Sequence, residues 1–387
     1  MKKMLILALV LALAMTGAAL AEVKSPMEAP AEPLYRNGDY LYALREDGTA
    51  EIVIYDREKI VDPFFGVLNP QDELLTVPEE LDGHRVAAIG DLAFRQCEMK
   101  TVAIPDGVTE IGANPFAGCA LLEEIRVSQD HPTLAVIGGV LFSKADKRMI
   151  CYPQAMEATS YAVPQGIEVI GDWAFSQCGA LKRVTIPDSV RAIGDYAFAR
   201  CGALASPALP EGLTDIGDYA FAWCYMIGEM SIPNSVAEVG ENPFAFCASL
   251  KDIRVSDGHP ALTVTDGALF DRNLSRLICY PEGLEATEYA LPQGTRSIGG
   301  SAFSASARLE GVIVPEGVEE IGYRAFALCQ NLVEVVLPQS VTAIDDEAFY
   351  GCERVTLVTP RGSFAADYGE ANGVRYIYQD ANSWLNG

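Results

Sequence analysis

Val184-Thr-Ile-Pro-Asp-Ser-Val-Arg-Ala-Ile-Gly-Asp-Tyr-Ala-Phe-Ala-Arg-Cys201 decides the fold, because most of the 387-residue chain between Val77 and Cys352 repeats it. Its skeleton is Val-x-Ile-Pro, a turn, Ile-Gly, and Ala-Phe-x-x-Cys. The landmark phenylalanines are Phe94, Phe116, Phe175, Phe198, Phe221, Phe244, Phe303, Phe326 and Phe349, spaced by 22, 59, 23, 23, 23, 59, 23 and 23 residues. Each 59 is one 23-residue unit plus 36, so the spacing predicts nine short rungs and two long ones, about eleven stacked as a solenoid.

Within the unit, Leu181-Lys-Arg-Val-Thr-Ile186 alternates as a strand with one buried face does, and Pro187, which has no N–H to donate, ends it. Pro-Asp-Ser-Val is turn chemistry. Ile193-Gly194 reads as a second turn, and Asp195 to Cys201 is long enough for a helical or 3₁₀ turn. Stacked units then form a parallel β-sheet on one face with short helical or 3₁₀ turns opposite.

The long rungs, about 122–157 and 250–285, report a duplication. Ile125-Arg-Val-Ser-Gln-Asp-His-Pro-Thr-Leu, Leu141-Phe142 and Ile150-Cys-Tyr-Pro153 return 128 residues later as Ile253-Arg-Val-Ser-Asp-Gly-His-Pro-Ala-Leu, Leu269-Phe270 and Ile278-Cys-Tyr-Pro281. Each insert carries two apolar runs around a polar turn (Ser143 to Arg148 in the first), which predicts an extra hairpin.

The array, 77–354, is flanked by units of other composition. Residues 34–76 contain Tyr40 to Tyr55, alternating around Asp47-Gly48, which predicts a capping β-hairpin. Residues 355–387 read as a small α/β C-terminal cap: a strand from Val355, a short helix over Phe364 to Asn372 and a closing strand at Val374-Arg-Tyr-Ile-Tyr. Residues 1–21 combine Lys2 and Lys3, an apolar run from Met4 to Met15, and Ala19-Leu-Ala21, the pattern of a Sec-type signal peptide cleaved after Ala21. An uncleaved anchor is the alternative, disfavoured because the apolar run is short for a span. Residues 22–33, rich in Pro, Ala and Glu, read as a flexible leader.

These features place the protein outside the cell or on its surface, with no membrane insertion after cleavage. The net charge is −25, and loss of Lys2 and Lys3 would take it to −27. Nucleic acid and anionic membrane surfaces would be repelled, which disfavours both as partners. A basic partner or divalent cations would be attracted, and a merely solvated surface has the same composition.

The combination Val-x-Ile-Pro-x-x-Val-x-x-Ile-Gly-x-x-Ala-Phe-x-x-Cys resembles the BspA-type, or Treponema pallidum-type, leucine-rich repeat, whose period lies in the 20–29-residue class. The resemblance implies a secreted or cell-surface protein associated with adhesion to proteins or cells, and it carries no catalytic residue. Departures are Ser306 in place of Cys, Asp345 in place of Gly, and Pro115 and Pro243 in place of the Ala before Phe.

Most of the chemically capable residues fall on repeat positions. Cys97, Cys119, Cys178, Cys201, Cys224, Cys247, Cys329 and Cys352 share one position, and parallel stacking predicts a buried reduced ladder rather than disulfides. Cys151 and Cys279 are duplicates and read as core. No C-x-x-C or Cys/His cluster indicates a metal, and no cofactor is expected. His131 and His259 are copies in His-Pro loops and, with His84, read as turn residues. Asp172, Asp195, Asp218 and Glu241 form an acidic row, read either as helix N-caps, the preferred reading, or as a stripe for cations or a basic partner. The phenylalanines read as core.

Function is then expected on the solvent face of the strand sheet. The alignment places outward Thr101, Ala103, Glu124, Arg126, Arg183, Thr185, Ser206, Ala208, Glu229, Ser231, Asp252, Arg254, Gly311, Ile313, Glu334 and Val336. From these, Arg126, Arg183, Thr185, Glu229, Asp252, Arg254 and Glu334 are the candidate binding residues for an extracellular protein or cell-surface glycan. A structural component of the cell envelope is the alternative. A hydrolase with carboxylates at a rung edge is disfavoured, since no nucleophile elbow, metal motif or non-repeating His/Asp/Cys constellation is present, and the chain is read as non-enzymatic.

Overall fold

The computed structural model describes residues 33–55 and 73–380. The expected signal peptide, nearly all of the expected leader, residues 56–72 of the expected N-terminal cap and the last seven residues of the expected C-terminal cap lie outside them. The chain forms two compact units, 1–139 and 140–387.

In the rung that fixed the reading, strand Arg183–Thr185 buries Val184 and exposes both neighbours. Leu181 and Ile186 bury on the same side, and a Pro187 carbonyl to Val190 N–H bond closes the turn. The next step corrects the expectation. Ala192–Ile193 is not a turn but a strand, paired in parallel with Val169–Ile170 and Asp215–Ile216. Each such rung thus contributes to a second parallel ladder as well as to the first. Gly194 is required there because a Cβ on it would lie 2.7 Å from the backbone nitrogen of Asp172 in the preceding rung.

The segment Asp195 to Cys201 is not helical either. Tyr196 and Arg200 have φ of +54° and +63°, values a right-handed helix cannot contain. The N–H groups alternate in direction: Ala197, Ala199 and Cys201 donate three residues back within the rung, whereas Tyr196, Phe198 and Arg200 donate to Asp218, Ala220 and Ala222 of the next. Successive tight turns therefore stitch neighbouring rungs together, and half of the donors that a helix would use internally serve the stack.

The second unit holds both inserted hairpins of the duplication. Strands Val140–Ser143 and Arg148–Cys151 pair antiparallel, and Arg148–Cys151 then opens a parallel ladder through 169–170, 192–193, 215–216 and 238–239. Ala268–Asp271 and Arg276–Cys279 repeat this arrangement for 297–298, 320–321 and 343–344. The predicted hairpins are these strand pairs. Leu262–Thr265 pairs antiparallel with the second of them.

Aromatic rings form the spine. Phe175, Phe198 and Phe221 stack at 4.8 and 5.0 Å, and Phe303, Phe326 and Phe349 at 4.8 and 5.1 Å, close to the spacing of paired strands. Tyr152 and Tyr280 occupy the phenylalanine position in the long rungs, and Tyr368 of the C-terminal helix continues the column beyond Phe349. Counted by rings, the second unit has ten turns, Tyr152 to Tyr368, and the first has three, at Tyr40, Phe94 and Phe116. The total is about thirteen rather than eleven, because both caps join the ladders: Ala50–Tyr55 pairs in parallel with His84–Ile89, and Arg375–Tyr378 with Thr356–Thr359.

Both caps have the expected elements. In the first unit, Tyr40–Leu44 and Ala50–Tyr55 form the hairpin around Gly48, at φ +79°, with Leu34–Asn37 as an extra strand. In the second, helix Phe364–Asn372 is capped by Ser363, which accepts from Ala366 N–H, and ends at left-handed Gly373.

Candidate binding surface

The repeated polar residues are consumed by the scaffold. Asp172 accepts the backbone N–H of Asp195 at 2.8 Å, Asp195 that of Asp218 at 2.7 Å, and Asp218 that of Glu241 at 2.7 Å. The acidic row is therefore capping, as preferred, but it caps the next rung rather than a helix within its own. Glu241 ends the row where the next such rung is 59 residues away; its longer side chain accepts from Gly300 N–H at 2.6 Å and pairs with Arg276. Beside it, Asn242 donates to the Ser301 carbonyl at 2.7 Å. Burial, with Asp218 and Asp172 nearby, raises the Asp195 carboxyl to about 6.

The cysteines behave likewise. Each Sγ of Cys119, Cys201, Cys224, Cys247, Cys329 and Cys352 lies 2.9–3.1 Å from the carbonyl of the phenylalanine of the preceding rung, 25 positions earlier for Cys119 and 26 for the others, an S–H···O contact between rungs. All ten cysteines are free, with Cys97 and Cys352 only partly buried. Burial holds the Cys178, Cys224 and Cys279 thiols well above the usual range, which makes them poor nucleophiles.

The two loop histidines are more than turn residues, since both are fully buried. His259 Nδ1 accepts from the N–H groups of Ala261 and Leu262 at 3.2 and 3.1 Å. Nε2 must then carry the proton, and it donates to the Pro233 carbonyl at 3.0 Å. In the first unit His131 makes the same three contacts with Thr133, Leu134 and Pro105. Among the described residues no group of three or more His, Cys, Asp or Glu side chains is placed to hold a metal, and no helix is long and apolar enough to cross a membrane.

What remains for recognition is the outward face of the strands, and the candidate residues occupy it. In the first unit Thr101–Ala103 and Glu124–Arg126 pair in parallel, and Arg126 is bound to Glu124 at 2.6 Å. In the second unit Arg183 and Thr185 flank Val184 beside Ser160 and Ala162. The following rung is interrupted, because Pro207 stands at the inward position of Val184 and cannot donate to a ladder; Ser206 Oγ instead accepts from Glu229 N–H at 3.4 Å. Pairing resumes with Glu229–Ser231 and Asp252–Arg254, where Arg254 bridges Glu229 and Asp252.

Arg126 and Arg254 are therefore neutralised locally, and among the three candidate arginines Arg183 alone is exposed without an ion-pair partner among the described residues. Glu334 lies on a separate five-stranded sheet, 288–290, 311–313, 334–336, 356–359 and 375–378. The sequence did not group this sheet, although the alternation of residues 288–290 and 375–378 was there to be aligned.

Comparison with known proteins agrees with this architecture. The sequence profile of the BspA type leucine rich repeat region matches in six copies over residues 81–147, 148–272 and 279–365. No curated protein matches the chain. Among solved structures, the chain is similar to a leucine-rich cell-surface protein of Faecalibacterium prausnitzii A2-165, at 23% identity over 92% of this chain and 97% of that one, with a TM-score of 0.46. It is also similar to a leucine-rich repeat protein of Eubacterium ventriosum, at 22% identity over 59% and 72%, TM-score 0.49. The pneumococcal vaccine antigen PcpA is similar at 21% identity over 85% and 76%, TM-score 0.44.

Proposed function

Because the chain belongs to the BspA-type leucine-rich-repeat family, we propose that it is an exported, non-enzymatic binding module that holds an extracellular protein or cell-surface glycan on the outward faces of its parallel sheets. One observation carries this reading. The residues that make the repeat recognisable are spent on joining rungs, whereas the outward strand positions differ from rung to rung and are left to solvent. Non-repeating residues on a rigid repeating frame are what a specific contact surface needs. Export rests on the N-terminal pattern of residues 1–21.

The mature chain should be screened against protein and glycan arrays. A ligand is expected whose affinity falls at least tenfold on Arg183→Glu, with smaller losses on Thr185→Ala and Glu334→Gln and on Arg254→Ala, where the arginine must first leave its own partners. Ligands insensitive to all sheet-face changes, or turnover of any substrate, would overturn the proposal.

A further inference from the structure

The register of the five-stranded sheet aligns Ala290, Ile313, Val336, Val358 and Ile377 in one outward row. This row is apolar from end to end, with Ile313 54% and Ile377 47% exposed. The duplication supplies an internal control. At the positions 128 residues earlier, the first copy carries Ala162 and Thr185 on paired strands and Ala208 on the rung that Pro207 interrupts. The fold therefore does not demand branched aliphatic side chains there, yet the second copy has them.

The neighbouring outward row runs Glu288, Gly311, Glu334, Thr356 and Arg375. Glu288 and Glu334 stand two strands apart, about 9.6 Å, with only Gly311 between them. Both are exposed, and neither meets a cation among the described residues. At the positions 128 residues earlier stand Ser160, Arg183 and Ser206, so the acidic pair belongs to the second copy alone.

We propose that this face docks an extended polypeptide segment bearing branched aliphatic side chains and, beside them, a lysine or arginine that seats over Gly311 between Glu288 and Glu334. The inference rests on the sheet-face reading above and names the partner's chemistry. Charge complementarity selects a basic segment, since the acceptor charges are in place and uncompensated. Size selects a segment rather than a second copy. Five strands span about 19 Å, and two rows cover on the order of 300 Å², against the roughly 800 Å² per partner of a stable interface. A second copy would also bring the same two unpaired glutamates and the same large negative charge.

The test uses the mature chain and a labelled ten-residue peptide alternating valine and lysine, with a valine–glutamate peptide as control, followed by fluorescence anisotropy at two salt concentrations. Binding of the lysine peptide alone is expected, weakening as salt rises. Ile313→Thr with Val336→Ala, which installs the residues of the first copy, should weaken it at least tenfold. So should Glu288→Gln with Glu334→Gln, and Gly311→Lys, which supplies the missing cation from within and meets only ordinary contact with Glu288.

Equal binding of both peptides, no binding, or binding indifferent to these variants would overturn the inference, the last showing only attraction to an acidic chain. Self-association in sedimentation velocity that is lost on Ile313→Thr would replace the segment by a second copy and also overturn it. If an array ligand responds to Arg183→Glu while the peptide fails, the binding module stands and this patch does not. If array ligands respond to no sheet-face change, the broader reading itself has failed.

Discussion

Ser306→Cys should stabilise the protein, and Cys224→Ser should destabilise it. Ser306 occupies the repeat position of the cysteines, is 1% exposed, and its Oγ has no hydrogen-bond partner among the described residues. One rung on, Cys329 Sγ reaches the Phe303 carbonyl at 3.0 Å. The corresponding acceptor for position 306 is the Tyr280 carbonyl, 26 residues back. A longer C–S bond carries sulfur toward that acceptor, and a thiol tolerates burial where a hydroxyl does not.

A buried unsatisfied polar group costs about 1–3 kcal/mol, and sulfur is larger than oxygen, which returns part of the gain as crowding. The net for Ser306→Cys is a gain of about 1.5 kcal/mol. With a slope near 3 kcal/mol/M for a unit of this size, the urea midpoint should rise by about 0.5 M. The reverse change at Cys224, whose Sγ lies 3.1 Å from the Phe198 carbonyl, should lower it by a similar amount. The assay is urea unfolding followed by circular dichroism with reductant present, comparing midpoints only where slopes agree. Most substitutions destabilise, so the opposite signs are the informative result. If both variants lose stability, position 306 is not equivalent to the other rungs; if Cys224→Ser is neutral, the thiol ladder contributes nothing.

Three further outcomes follow from the same geometry. His259→Ala removes the partners of two backbone N–H groups and one carbonyl in a fully buried site and should cost about 3 kcal/mol, read as a lowered urea midpoint; a change below about 1 kcal/mol would mean that water replaces the ring. Asp195 has a folded pKa near 6 against 3.8 for the free group, so the native state binds the extra proton and this group's contribution to stability rises as pH falls through that window. Asp195→Asn, which keeps the acceptor for Asp218 N–H, should gain about 1 kcal/mol at pH 7, discounted for a half-exposed site, and the gain should vanish near pH 4 in parallel melts. Thiol titration of the unfolded chain without reductant should count ten free thiols, and a count of six or fewer would contradict the ladder.

The sequence carried the array because each rung solves one packing problem and repetition printed the solution many times. Phe198 and Cys201 were legible as core from a single period. The second ladder was not, since Ala192-Ile193 is two residues long and an isolated two-residue strand has no alternation to read. Nor was the turn segment: Asp195-Tyr-Ala-Phe-Ala-Arg has the residues of a helical turn, and only the left-handed Tyr196 and Arg200, held by donation to the next rung, exclude it. Local propensity lost to a contact 23 residues away. The burial of the turn histidines was not legible for a related reason. A His-Pro pair looks like turn chemistry, and the acceptor that makes the ring structural, the Pro233 carbonyl, lies 26 residues earlier.

The candidate surface was harder to read because function, if it lies there, sits where the repeat is broken. A column that builds the stack must hold its residue type in every rung; a column that faces solvent need not. Thr185 and Ile313 make the point, being the same position in two copies, each paired with an alanine of the preceding strand, Ala162 and Ala290, and each next to an inward valine. Stability does not distinguish them, because both side chains lie outside the core. A branched apolar residue exposed at Ile313, aligned with Val336 and Val358 and flanked by unpaired carboxylates, is therefore poorly explained by the scaffold and well explained by a partner. The copy with Thr185 carries Ser160, Arg183 and Ser206 where the other carries Glu288, Gly311 and Glu334. The duplication thus sets the aliphatic row and the acidic pair in one copy alone, and the proposed recognition of a branched aliphatic and basic segment rests on that difference.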